Sequence, residues 1–473
     1  MRNLVMDFYE LTMGQAYFDA KVVDKVAYFD VFFRKVPDEG SFVIACGIHK
    51  ILEYLHNFKL SKDDLDYLRS LHTFSEDFLT YLKTIRFTGD VYAVKEGTIV
   101  FPNEPVLTIK APIIEAQLVE TYLLLLFNHN SLIATKANRI VGAAQGRAVM
   151  EFGSRRAQGE SAAIDGALAS CLVGASGTAC TETGKEYGVT VLGTMAHSFV
   201  QSFDTEFEAF KAYALAFPDN CTLLVDTYDT LKTGIPNAIK TFNEVLKPLG
   251  KRLKGIRIDS GDLADLAKKA RKMLDAAGCS DTKIVVSNSL DEYVISSLLI
   301  QNAPIDSFGV GEKMITAASN PILGGVYKLV AVKEKGKIEP RIKISGNTEK
   351  VTNPHFKTIY RLYDQDHKVI TDLVCIYNEK APSGPLEIVE PNSSNITTVI
   401  NNYEVRPLRI EMMKHGKIVY EVPSLKVTQA YVQQELATLY EGARRLEYPR
   451  LYVANLSKRL QHIKAKLIKE ANS

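Results

Sequence analysis

Cysteine is scarce: six residues in 473, at Cys46, Cys171, Cys180, Cys221, Cys279 and Cys375. No two of them form a Cys-x-x-Cys pair, so neither a zinc framework nor a disulfide scaffold is expected. A charge excess is lacking too, with 57 Lys and Arg against 55 Asp and Glu and a net charge of +2. Such a balance gives no global electrostatic reason to bind nucleic acid or an anionic membrane. No apolar run approaches the ~20 residues that span a bilayer; the burst YLLLLF at 122–127 is of the kind a buried helix shows. In the opening MRNLVMDFYELT, Asp7 and Glu10 interrupt the apolar core that a signal peptide needs. Internal repeats and low-complexity tracts are also missing. What remains, with 46% hydrophobic and 24% charged residues, suits a globular chain of about three domains. A cytoplasmic, multi-domain enzyme is expected.

The first hundred residues read as mixed α+β. KVAYFDVFFRK (25–35), GDVYAV (89–94) and EPVLTIKAP (104–112) have the aromatic and β-branched content of strands bounded by Gly and Pro. Ser61, followed by Asp64, opens a helix. Two long helical patterns are expected at 113–128 and 131–145. From there, short apolar runs alternate with room for one helix each: AVMEF (148), CLVG (171), VTVLG (189), CTLLVD (221), KGIRID (254), KIVVS (283), IDSFGVG (305) and VYKLVAV (326). About eight strands so spaced predict a parallel sheet and an α/β fold, a (β/α) barrel that need not be complete, with an open doubly wound sheet as the competing topology. LADLAKKARKMLDAAG (263–278) is an amphipathic helix with Gly278 at its C-terminus. After EKGKIEP (334–340), turns and strands are expected in IKISGNTEKVTNPHFKTIYRLYD, and helix at 426–472, where Lys458, Arg459, Lys464, Lys466 and Lys469 read as a solvated face. Three parts follow: 1–113, 114–332 and 333–473.

In a barrel the site lies at the C-terminal ends of the strands. Those ends carry Gly153-Ser154-Arg155-Arg156, Ala175-Ser176-Gly177-Thr178, Thr194-Met195-Ala196-His197-Ser198, Asp226-Thr227-Tyr228-Asp229, Asp259-Ser260-Gly261-Asp262, Asn288 and Gly309-Val310-Gly311-Glu312. Any one Ser, Gly or Asp there is an ordinary turn or cap residue. Arg257 and His197 stand out. A cation inside the strand IRI must be paired or face a ligand, and Asp259, two residues on, shares its face. Arg beside Gly- and Thr-rich turns suits anionic groups, because guanidinium forks and backbone N–H groups bind phosphate. The residues alone thus point to a barrel enzyme for a phosphorylated substrate, with a histidine in the chemistry.

At these blocks the chain resembles the nicotinate phosphoribosyltransferase family. The likeness rests on MDFYELTMGQAYF (6–18), FFRKVP (32–37), EFGSRRAQG (151–159), GTMAHSF (193–199), VDTYDT (225–230), IRIDSGDL (256–263), FGVGEKMIT (308–316) and YRLYD (360–364). It implies the type II phosphoribosyltransferase fold: an N-terminal α+β sandwich domain, an irregular (β/α) barrel and a C-terminal α+β region packing back on the first domain. It also implies nicotinate, 5-phosphoribosyl 1-pyrophosphate and ATP as substrates, Mg²⁺, and a homodimer with shared active sites. One block departs. Where the family commonly has Gly-Thr-Ser-Asn, this chain has Gly177-Thr178-Ala179-Cys180, so backbone N–H groups there would have to replace the lost side-chain contacts.

The resemblance also assigns roles. His197 would carry a transient phosphoryl group, since a neutral imidazole is nucleophilic and its phosphoramidate labile. Asp226 would hold the other ring nitrogen. Arg257 would meet an anionic group and Asp259 the ribose or Mg²⁺, which substrate phosphates would mainly hold. Arg155 is expected at the pyrophosphate, with Arg156 there or in a structural ion pair. Thr194 joins Arg257 at nicotinate. Phe152 and Tyr9, the latter from a neighbouring subunit, would sandwich its ring. Gly309, Gly311 and Thr316 would cradle the 5′-phosphate. The rivals are a nicotinamide phosphoribosyltransferase, a Schiff-base barrel lyase and a non-catalytic binding protein. The second lacks a lysine within a barrel strand, and the third fits poorly with His197, Asp226, Arg257 and Asp259 all present.

Overall fold

Residues 3–346, 350–390 and 393–472 are described in a computed structural model of the chain. Its residues fall into two units, Met1–Thr135 with Ile322–Ser473, and Lys136–Pro321.

The Lys136–Pro321 unit is built on a parallel sheet of six strands. In spatial order these are Gly177–Thr178, Ala148–Glu151, Ser307–Val310, Lys283–Ser287, Gly255–Ile258 and Thr222–Leu224. An isolated parallel bridge from Thr178 to Val191 extends the edge. The last strand in the chain pairs with the first, and the rest follow in sequence order, as in a (β/α) barrel and unlike a doubly wound sheet. Among the described residues no pairing joins Val191 to Thr222–Leu224, so the barrel-like core is irregular. The strands are short apolar runs whose Val, Ile and Leu side chains are buried. Helices return the chain between strands; Leu263–Ala276 is capped by Asp262, which accepts from the Asp265 N–H at 3.1 Å, and ends before Gly278 at φ +75°.

The other unit is antiparallel. Its seven-stranded sheet runs Lys337–Pro340, Val326–Glu334, Val26–Phe32, Leu107–Pro112, Asp90–Val94, Arg409–Lys414 and Lys417–Ile418. A four-stranded sheet holds Glu404–Pro407, Lys357–Tyr363, Val369–Ile376 and Ala454–Leu456. The two sheets meet where Phe356 packs on Tyr28 and Tyr92, with ring centroids 5.1 and 5.0 Å apart. The Ser61 cap forms as expected: its hydroxyl accepts from the Asp64 N–H, and Asp64 accepts from the Ser61 N–H.

Four expectations are corrected. CLVG at 171–174 is the end of the helix Glu160–Leu172, whose Ala-rich sequence favours helix, and the strand comes later, at Gly177–Thr178. VYKLVAV belongs to the antiparallel sheet, paired with Val26–Phe32; an apolar run does not reveal which sheet it joins. Residues 113–145 form a short helix, Ile113–Gln117, and a long one, Glu120–Ala143. The C-terminal helical stretch is broken into Leu425–Ala437 and Lys458–Asn472 by a segment containing Pro449 and the strand Ala454–Leu456. Residues 347–349, within the expected turns after 341, lie outside the described residues. Among the described residues no helix is long and apolar enough to cross a membrane.

Candidate active site

All six parallel strands end at one edge of the sheet, so the residues that follow them converge there. Arg257, third in the strand Gly255–Ile258, is 15% exposed. A cation so enclosed needs partners, and it has three. Its Nε donates to Ser287 Oγ at 2.8 Å, Nη2 to Asp259 Oδ1 at 2.9 Å and Nη1 to Thr194 Oγ1 at 3.3 Å. Strand register accounts for the first two. Val286 lies beside Ile258, which sets Ser287 beside Asp259, and Arg257 alternates onto the same face as Asp259. The Ser287 hydroxyl also donates to Asp259 Oδ1.

His197 opens the short helix His197–Gln201, 40% exposed. Its Nδ1 is 3.2 Å from Thr227 Oγ1, and its Nε2 is 3.7 Å from Asp259 Oδ2. The Thr227 hydroxyl and the Asp259 carboxylate thus flank the two ring nitrogens. The expected contact of Asp226 with the imidazole is therefore replaced by Thr227 and Asp259. Asp226 instead braces the turn after the neighbouring strand: its Oδ2 accepts from the Asp259 N–H at 2.8 Å and the Ser260 hydroxyl at 2.6 Å. Its Oδ1 is buried without a hydrogen-bond partner.

Phe152 follows the strand Ala148–Glu151, and the Arg257 guanidinium lies 5.6 Å from its ring centroid. Gly309 makes room for that ring. A Cβ at Gly309 would stand 2.7 Å from the Phe152 ring and 3.3 Å from Ser287 Cβ. One at Gly311 would stand 3.0 Å from the Phe152 carbonyl oxygen. The close approach these glycines permit is thus taken by the Phe152–Gly153 backbone and ring. Thr316 caps a short helix, donating to the Glu312 carbonyl at 2.7 Å. Glu151 lies beneath, wholly buried; its carboxylate accepts from the Gly153 N–H, and from the Thr178 hydroxyl at 2.5 Å. Burial raises its pKa, against the lowering effect of those two hydrogen bonds.

At the divergent block, the expected backbone donors are already engaged. The Ala179 N–H donates to the Glu151 carbonyl, and the Cys180 N–H to Thr178 Oγ1, each at 2.8 Å. Arg155 is exposed, with no ion pair or hydrogen bond among the described residues, while Arg156 lies 3.4 Å from Glu312 with both side chains exposed. Tyr9 lies in the other unit, on the helix Phe8–Asp19, and is 43% exposed.

The unit thus brings together Arg257, Asp259, His197, Thr194, Phe152 and, as a brace, Asp226. Ser287 and Thr227 complete the network but carried no assigned role in the sequence; the one available signal was a serine closing the apolar strand KIVVS. Just beyond it, Asn288 and Ser289 have φ of +90° and +48°, a strained pair of the sort found at binding sites. A guanidinium, a carboxylate and an imidazole in a half-open mouth can bind an anion, stabilise developing positive charge and accept a phosphoryl group.

Sequence profiles of known families match most of the chain. The profile described as the nicotinate phosphoribosyltransferase N-terminal domain covers residues 4–128, that of the family itself 147–362, and that of its C-terminal domain 356–464. The nicotinate phosphoribosyltransferase of Bacillus subtilis (strain 168) is 43% identical over 475 residues, spanning all of this chain and 96% of that protein. The crystal structure of human nicotinic acid phosphoribosyltransferase superposes with a TM-score of 0.88 at 30% identity, covering 98% of this chain and 100% of that one. A nicotinate-nucleotide pyrophosphorylase from Pyrococcus furiosus shares the fold, with a TM-score of 0.70 at 24% identity over 92% of this chain and 95% of that one.

Proposed function

Because the chain belongs to the nicotinate phosphoribosyltransferase family, we propose that the mouth around Arg257 joins nicotinate to the ribose of 5-phosphoribosyl 1-pyrophosphate, coupled to ATP, on the salvage route to NAD. The products are nicotinate mononucleotide and pyrophosphate, with ADP and phosphate from ATP. The observation that carries this reading is the network in which Asp259 faces both Arg257 and His197.

Arg257 offers its guanidinium to the nicotinate carboxylate, with Thr194 beside it and the Phe152 ring against the pyridine face. The pyridine nitrogen keeps its lone pair for the anomeric carbon. As the bond to pyrophosphate breaks, positive charge grows on the ribose, and Asp259 stands by to stabilise it. Arg155, exposed and unpaired, meets the departing pyrophosphate. His197 attacks the γ-phosphoryl group of ATP through Nδ1 once the Thr227 hydroxyl turns aside; ADP leaves, and Asp259 stabilises the charged ring through Nε2–H. Water later takes the phosphoryl group as phosphate.

Mg²⁺ fits this mouth only in part. Among the described residues no three His, Cys, Asp or Glu side chains cluster to cage an ion. Asp259 Oδ1 is taken by Arg257 and Ser287 and Oδ2 faces His197, so substrate phosphates would be the main ligands of Mg²⁺, with the buried, unpartnered Oδ1 of Asp226 as a protein oxygen that would join them if exposed. Bound there, Mg²⁺ would supply charge neutralisation at the phosphates.

The exposed Tyr9 is proposed to come from a partner subunit and close the second face of the pyridine, which makes the active species a homodimer. Co-expressing Tyr9→Ala and His197→Asn chains and assaying the isolated hybrids tests this: activity above either parent supports a shared site, and no recovery in confirmed hybrids refutes it. Substrate choice is tested by product analysis with nicotinate, nicotinamide and quinolinate, each with and without ATP. A pocket that pairs a carboxylate with Arg257 should prefer nicotinate to nicotinamide by about 100-fold or more. Equal efficiencies would favour the nicotinamide enzyme.

A further inference from the structure

A cavity of about 220 Å³ opens in the unit that does not hold the barrel. Its walls come from the strand Val26–Phe32, the start of Lys357–Tyr363, the strand Ala454–Leu456 and the C-terminal helix Lys458–Asn472. Three cations gather on or behind those walls around one lining carboxylate, Asp30. Lys357, almost wholly buried, lies 2.7 Å from Asp30 Oδ2 and donates to the Asn353 and His355 carbonyls at 2.7 Å each, so its three donors are satisfied. The other oxygen of Asp30 accepts from the Thr108 hydroxyl at 2.5 Å. Arg409 lies buried behind, bonded to the Lys357 carbonyl, the Tyr92 carbonyl and Thr108 Oγ1, with its Nε unpartnered. Lys464 is left without a counterion: its Nζ donates to the neutral Asn353 Oδ1 at 2.8 Å, and no ion pair reaches it among the described residues.

Enclosed positive charge in excess of negative is unfavourable unless something anionic answers it. Burial lowers the pKa of Lys464, and Lys464 and Arg409 add to the lowering at Lys357. Phe32 and Leu456 also line the cavity and contribute apolar surface to it. A cation with one neutral partner, two apolar side chains in an otherwise polar lining and room for a few heavy atoms suit a small carboxylate that carries a short hydrocarbon.

We propose that this cavity is a second ligand site, one that takes a small organic carboxylate on Lys464 with its apolar part against Phe32 and Leu456. The bound carboxylate would tie the C-terminal helix to the strand Val26–Phe32 and stabilise that unit. The site stands independently of the assignment of the barrel mouth.

Isothermal titration of the full chain with sodium butyrate, in buffer matched for ionic strength with chloride, tests the proposal, with inorganic phosphate as a second probe. Saturable butyrate binding that also raises the Tm is expected, weakened about tenfold or more in Lys464→Met and retained in Lys464→Arg. Arg257→Met should bind butyrate at this site as the wild type does, which separates it from any carboxylate held at the barrel mouth. The ligand-free Lys464→Met protein should melt no lower than the wild type, since an unanswered charge has been removed. The proposal is overturned if butyrate does not bind, if Lys464→Met binds it equally, or if phosphate binds while butyrate does not.

Discussion

Two ion networks in this molecule look alike on paper and behave differently. In the antiparallel unit, Arg361 is fully buried; Nε and Nη2 form a fork on Asp372 at 2.8 and 2.7 Å, Nη1 meets Glu435 at 3.1 Å, and Nη2 also reaches the Ile99 carbonyl. Glu435 in turn holds Arg406 at 2.7 Å. Arg361, Asp372 and Glu435 are shut off from water, so breaking their pairing leaves a buried charge unanswered. In the parallel unit, Arg257, Asp259 and His197 are 15%, 29% and 40% exposed, and Asp259 divides itself between the other two. Their contacts can be traded for those of an incoming anion. Burial of Arg361, Asp372 and Glu435 marks a structural network, and partial exposure of Arg257, Asp259 and His197 suits the role proposed for them.

Removing Arg361 should therefore break the fold, and removing Arg257 should break the chemistry. Arg361→Met strands Asp372 and leaves Glu435 with Arg406 alone, and should cost about 3–5 kcal/mol in denaturant unfolding, with the nicotinate KM unchanged in whatever folds. Arg257→Ala should lower kcat/KM for nicotinate by about 10²–10³-fold while shifting Tm little, because Asp259 keeps Ser287 and water. A comparable loss of stability in both variants would erase the distinction.

A buried carboxyl with no cation sharpens the contrast further. Glu10 is inaccessible to solvent; its Oε1 accepts from the Thr121 N–H and hydroxyl, while Oε2 has no partner, and burial pushes its pKa up from 4.5 to about 7. Between those values the native state keeps a proton that the unfolded chain has lost, so stability falls as pH rises through that window, by on the order of 3 kcal/mol. Glu10→Gln should flatten this slope in Tm measured from pH 5 to 8. The smallest expected effect is that of Gly309→Ala. Its methyl group would meet the Phe152 ring and displace it, raising the nicotinate KM about tenfold with about 1–2 kcal/mol lost in stability.

Much of this was legible in the sequence, for physical reasons. A charged residue inside an apolar strand, as in GIRI, must have a purpose, and the alternation of side chains already set Asp259 beside Arg257. Ser287 and Thr227 were not assigned, because their contacts depend on strand register and on the path of the loop at 192–197. Asp226 was given to the imidazole because it ends the next strand, whereas one of its carboxylate oxygens is taken by the Asp259 N–H and the Ser260 hydroxyl across the adjoining strand. At Gly309 and Gly311 the sequence shows that something comes close without showing what: on the side a Cβ would take, it is the Phe152 ring and backbone. VYKLVAV was placed in the wrong sheet because alternation and apolar content are common to both kinds of strand.

On the proposed mechanism the parallel unit carries out ATP-coupled transfer through His197. Incubating the enzyme with γ-labelled ATP and measuring acid-labile protein phosphate, in the wild type and in His197→Asn, tests it most directly. A labelled wild type, an unlabelled variant with no ATP hydrolysis, and some residual ATP-independent formation of nicotinate mononucleotide are expected. Undiminished labelling of His197→Asn would contradict it.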